Sequence, residues 1–109
     1  MKSFITDAAR DDILRQYRYL LTERESPSAA ERFLTSVQKA IGQIHKSPSI
    51  GSPRFFKNPK LAGLRASAVE GFPSIRVYYL LSGDTIRIIR VLHGKRDVGR
   101  VLESDPNDD

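Results

Sequence analysis

The sequence predicts an α+β domain, and three observations predict it: a short β-prone run at the N-terminus, two amphipathic helical stripes behind it, and three β-rich runs close together in the second half. Ser3-Phe4-Ile5-Thr6 is the first strand. It runs into Asp7, and the Thr6 hydroxyl and the Asp7 carboxylate are both able to accept from the open amides of a helix start. From Ala8 the apolar positions Ala9, Ile13, Tyr17 and Leu20 fall on one face, with Arg10, Asp11, Arg15 and Arg18 largely off it. That is a helix of about four turns.

Residues 23–27 break this pattern. Ser28 then stands three residues before Glu31, the spacing of a capping box, and places the start of a second helix there. Its stripe is Phe33, Val37, Ala40, Ile41 and Ile44, and Pro48 with Gly51 ends it. The two helices form a hairpin. Residues 52–63 hold Pro53, Pro59 and Gly63 beside Arg54, Lys57 and Lys60, an irregular basic connection. Phe55 and Phe56 are expected to pin it to the core, because exposed apolar pairs are costly.

The β-rich runs cover residues 64–69, 75–81 and 85–92, separated by Glu70-Gly71-Phe72-Pro73 and Ser82-Gly83-Asp84, and give a three-stranded antiparallel sheet followed by a short basic segment. A two-residue loop at Gly83-Asp84 sets Ser82 opposite Thr85. With that register, Ile75, Val77, Tyr79 and Leu81 share a face with Ile86, Ile88 and Leu92, where Arg90 is the one misfit. The other face collects Arg76, Tyr78 and Leu80 with Arg87, Ile89, Val91 and His93. Two readings fit that mixed face. It is a working surface, or an ordinary sheet face whose arginine stems cover apolar neighbours.

At 109 residues the chain has the length of one domain and buries roughly 65% of its unfolded surface. That domain is expected over residues 1–102. The absence of cysteine excludes a disulfide scaffold, and His45 and His93 alone do not build a metal cage, so neither metal nor cofactor is expected. No apolar stretch is long enough to span a bilayer and no export signal is visible, which predicts a cytoplasmic protein without membrane contact. The net charge of +5 is unevenly spread: residues 1–50 carry +2 and residues 51–102 carry +7. Such a half suits an acidic partner. Residues 103–109 hold four acids and no base, and are expected to form a disordered tail.

The run Arg90-Val91-Leu92-His93-Gly94-Lys95-Arg96-Asp97, behind a strand containing Arg76-Val77-Tyr78-Tyr79, resembles the ParE branch of the RelE/ParE toxin superfamily. So do the helix opening Ala8-Ala9-Arg10-Asp11-Asp12-Ile13, the second helix with Phe33, Ile41 and Ile44, and the connection Ser47-Pro48-Ser49-Ile50-Gly51 leading to Leu64-Arg65. The resemblance covers nearly the whole chain and rests on the order and spacing of motifs that are individually weak. It implies a RelE/ParE-like fold and the toxin role in a type II toxin–antitoxin pair, with a ParD-like antitoxin as hetero-oligomeric partner. ParE-like members poison DNA gyrase by binding. RelE-like members, the alternative, cut messenger RNA on the ribosome.

RNA cleavage needs groups that take and return protons and cations against the developing phosphate charge. Arg76 and Arg96 sit where RelE-like toxins keep two cations. Where those toxins place lysines and a late aromatic hydroxyl, this chain has Ser67, Val69, Val101 and Leu102. His93 alone has an ordinary pKa near neutrality, and as a strand-end residue it equally fits a backbone hydrogen bond. The set is thin for catalysis, so no catalytic residue is assigned. Arg76, Arg87, His93, Lys95 and Arg96 are the expected target-binding residues, and Tyr17, Tyr78, Ile89 and Val91 the expected antitoxin contacts. No helix-turn-helix, RNP motif or Gly-rich phosphate loop is present, and sequence-specific nucleic-acid binding by this chain alone is not expected.

Overall fold

Thr6 joins the first strand to the first helix through three hydrogen bonds. Its amide donates to Ile88 O at 3.1 Å, its hydroxyl donates to Ile89 O at 2.7 Å, and the same oxygen accepts from Ala9 N at 3.1 Å. The structure, a computed structural model, describes residues 2–94 and 98–104. Strand β1 (Lys2–Ile5) leads through Thr6 into helix α1 (Asp7–Thr22), and α2 (Pro27–Lys46) returns antiparallel to it. Then come β2 (Ser52–Pro53), a 3-10 turn (Pro59–Leu61), β3 (Arg65–Val69), β4 (Phe72–Ser82), β5 (Thr85–His93) and α3 (Val98–Ser104).

The expected fold class holds, with additions. The sheet has five strands in the order β1-β5-β4-β3-β2, and β1 lies parallel to β5 while every other pair is antiparallel. The basic C-terminal segment includes a helix, α3, which continues through Ser104, past the point where a disordered tail was expected to begin. Residues 105–109 of that tail lie outside the described residues.

Helix α2 begins earlier than the capping-box spacing predicts. Ser26 is the N-cap, its hydroxyl accepting from Ala29 N at 3.2 Å, with Pro27 in the first turn. Proline suits that position, where its missing N–H is not needed, so the cap falls just before it. Ser28 lies inside the helix and accepts instead from Arg32 Nη1 at 3.4 Å. Glu31 turns outward, its carboxylate accepting from the Tyr17 hydroxyl at 3.2 Å, which pushes that phenol above its ordinary range.

Two apolar clusters sandwich the sheet. Under the hairpin lie Ala9, Phe33, Val37, Ala40 and Ile44 against Val69, Ile75, Val77, Tyr79, Ile86, Ile88 and Val91. On the far face, Leu61 and Leu64 of the connecting loop and Leu102 of α3 cover Ala66, Tyr78, Ile89 and Leu92. The mixed face is therefore not an open working surface: its centre is a second core. Phe56 packs at the edge of that core as expected, whereas Phe55 is 91% exposed and pins nothing.

The β4–β5 register starts as predicted, with Ser82 opposite Thr85 and Tyr79 opposite Ile88, and Gly83 at φ +62° making the tight turn. A β-bulge then shifts it by one, so Tyr78 faces Arg90 and Ile75 faces His93. Beyond the bulge every assignment changes side. Val91 belongs to the helix-facing core and Leu92 to the far one, the reverse of the unbroken register.

Candidate functional site

The bulge is held by a charge pair that explains the Arg90 misfit. Asp12 of α1 is fully buried, and its carboxylate accepts from Arg90 Nε at 2.7 Å, Arg90 Nη2 at 2.8 Å and the Val91 amide at 3.0 Å. Gln16, one turn on, donates to Val91 O at 2.9 Å. Strand β1 pairs with β5 only as far as Ile88. Thr6, Asp12 and Gln16 carry on from there, meeting polar groups of β5 that would otherwise end the sheet unpaired. Helix α1 thus fixes the half of β5 that ends at His93.

Two clefts flank this end of the hairpin. The larger, about 910 Å³, lies on the helix side between the second half of α1 and the ends of β4 and β5. Tyr19, Leu20, Phe72 and Ile75 give it apolar walls, with Arg15 and Arg24 among the lining cations and His93 at the strand end. Tyr19 is 50% exposed and Leu14 of the same helix 43%. The smaller cleft, about 480 Å³, lies on the other side, lined by Arg54, Phe56, Ser74, Arg76, Tyr78 and Val98. Burial pushes the Tyr78 phenol above its ordinary range, while Arg54 and Arg76 pull the other way.

The expected target-binding residues do not converge on one point. Arg76 is half-buried on the far face, with Nη1 donating to the carbonyls of Pro73 and Ile75. Arg87 lies on that face near the β4–β5 turn, its guanidinium 5.7 Å from the centre of the Phe4 ring. His93 is exposed and, paired with Ile75, lies on the helix side. Lys95 and Arg96 lie outside the described residues. Of the expected antitoxin contacts, Tyr17 is half-buried against the hairpin core. Tyr78, Ile89 and Val91 are 4%, 1% and 0% exposed, so as the fold stands none offers surface to a partner.

Sequence reasoning missed Arg15, Tyr19, Arg24 and Arg54. Tyr19 had a signal: an aromatic off the apolar stripe of an amphipathic helix, flanked by cations. Asp12 had a stronger one, since it and Gln16 fall on the stripe of Ala9, Ile13 and Leu20 and oppose the misfit Arg90 in charge. Among the described residues no cluster of three or more His, Cys, Asp or Glu is placed to hold a metal ion, and no helix is long and apolar enough to cross a membrane.

The model of the ParE toxin of type II toxin–antitoxin systems, parDE, matches residues 4–98. The chain belongs to the ParE toxin family. Its fold is similar to a solved structure described as the chromosomal ParDE TA system from P. aeruginosa, with a TM-score of 0.66 at 19% sequence identity, over 85% of this chain and 95% of that one. No match is found among curated proteins. A ParE toxin thus has, at one end of its β4–β5 hairpin, an apolar cleft bordered by arginines on one side and a smaller two-arginine cleft on the other.

Proposed function

We propose that this ParE toxin acts on DNA gyrase by binding, without bond chemistry, and that a ParD-like antitoxin neutralises it. The observation that carries the reading is the separation of the groups a nuclease would need together. His93 lies on the helix side of the sheet and Arg76 on the other, and they line different clefts. General acid–base catalysis requires the proton carrier within hydrogen-bond reach of the reacting oxygen, beside the cation that holds the phosphate. Arg76, Arg87 and His93, with Lys95 and Arg96 in the following segment, are the proposed gyrase contacts.

The helix-side cleft is the proposed seat of the antitoxin. Its apolar walls and the exposed Tyr19 and Leu14 suit an amphipathic segment, and Arg15 and Arg24 favour an acidic one. Tyr17, at the core edge of the same helix, borders this surface; Tyr78, Ile89 and Val91 support it from inside.

Purified toxin added to gyrase and relaxed plasmid is expected to stop supercoiling and leave cleaved DNA after denaturation. Undiminished supercoiling with a saturating amount of folded toxin overturns the reading. Translated messenger RNA is expected to stay intact by toeprinting.

A further inference from the structure

The smaller cleft has features that the toxin reading does not use. Tyr78 is 4% exposed, yet its hydroxyl has no hydrogen-bond partner among the described residues and belongs to the lining of the cleft. Arg54 and Arg76 line the same cleft, close enough to act on that hydroxyl electrostatically. Neither guanidinium has a carboxylate within ion-pair reach among the described residues. Each is instead anchored through Nη1 to backbone carbonyls, Arg54 to Pro53 and Arg76 to Pro73 and Ile75, which fixes their placement and leaves other N–H groups to donate. Two cations and a phenol with spare donors, held without a counter-ion, make an anion site.

Next to Arg54 in the chain, Phe55 is 91% exposed, while its neighbour Phe56 packs into the cleft wall. Lys57 and Lys60 follow on the same loop. An exposed aromatic ring beside a cationic cleft is how single strands are held, with the phosphate in the cleft and an unstacked base on the ring. A duplex has no base face to offer, and an acidic peptide has no use for the ring.

We infer that the Arg54–Arg76–Tyr78 cleft binds a backbone phosphate of single-stranded nucleic acid, with the adjoining base stacked on Phe55. The assignment is independent of the identity of the toxin's target and implies no cleavage.

Fluorescence anisotropy with a labelled short thymidine oligonucleotide tests it on the full chain. Arg54→Gln and Arg76→Gln are each expected to weaken binding about tenfold, since each removes a charged hydrogen bond to phosphate. Phe55→Ala is expected to weaken it by a similar factor through lost stacking. Tyr78→Phe, which keeps the buried ring, is expected to weaken it less. Arg18→Gln, the same charge change on exposed α1, is the control and is expected to leave binding within about twofold. Arg54 and Phe55 lie in a surface loop, so their variants report even if Arg76→Gln fails to fold. Inorganic phosphate is expected to compete. Equal losses in Arg18→Gln and the cleft variants, or no binding at all, would overturn the proposal. So would a duplex or a polyglutamate peptide that binds as tightly as the single strand.

Discussion

Asp12 shows how much of this fold one side chain holds. A fully buried carboxylate that serves Arg90 twice and the Val91 amide once leaves two uncompensated groups when it is removed. Asp12→Ala is expected to cost about 3–5 kcal/mol, read as a lower midpoint in urea denaturation, and a loss under about 1 kcal/mol would show that the pair adds little. Tyr79 acts similarly at the other end of the sheet, donating to Pro48 O at 2.6 Å and accepting from Gly51 N at 2.9 Å. A Cβ on Gly51 would stand 2.7 Å from that hydroxyl, so the glycine is required by close approach. Tyr79→Phe, which keeps the ring, is expected to lose roughly 1–3 kcal/mol, as two buried backbone groups lose their partner.

Tyr78 carries the pH dependence at this scale. Burial raises its folded pKa, so the stability associated with its neutral form is complete below the unfolded value and lost as pH rises through the folded one. The window is alkaline, above roughly pH 10. Ultraviolet titration is expected to show the phenolate of Tyr78 appearing later than that of exposed Tyr19, identified by Tyr78→Phe; simultaneous ionisation would contradict it. Residue-level roles of this kind were only partly legible in the sequence. Arg90 stood out as a cation on an apolar face, but its partner lies in the first helix, and nothing local says which carboxylate reaches it.

At the level of elements, the helix stripes, the strand runs and the Gly83 turn were readable because each follows from periodicity or a local steric rule. The β4–β5 bulge was not. A bulge adds one residue without interrupting the apolar run, and in Ile88-Ile89-Arg90-Val91-Leu92 several registers bury similar side chains. The choice is made by Thr6, Asp12 and Gln16 from across the fold. Thr6→Val should reveal this: it removes both the N-cap oxygen and the donor to Ile89 O, with an expected cost of about 1–3 kcal/mol. Unchanged stability would mean that the bulge forms without that anchor. Helix α3 escaped notice for a different reason. It is one short segment whose apolar residues, Val98, Val101 and Leu102, are too few to define a period, although Leu102 is fully buried against the far face. Leu102→Ala is expected to cost about 2–5 kcal/mol by leaving a cavity, whereas a cost near zero would show that α3 is not needed to close that core.

Across the whole molecule, the cationic half predicted from charge counting is present, but the fold distributes its charges over two sides of the sheet rather than one rim. The far face was readable as mixed in character, not as covered, because its cover comes from a loop and a helix with weak patterns of their own. Charge separated in this way suits contact with a large partner and does not assemble a proton-transfer site. An agent that works by contact must be present in amounts comparable to its target, while an enzyme turns over. The most direct measurement is therefore a titration of gyrase supercoiling with folded toxin of known concentration. The account predicts loss of activity that saturates near molar equivalence and reverses when a cognate antitoxin is added. Complete loss at a small fraction of the gyrase concentration, or no loss at many-fold excess, would contradict it.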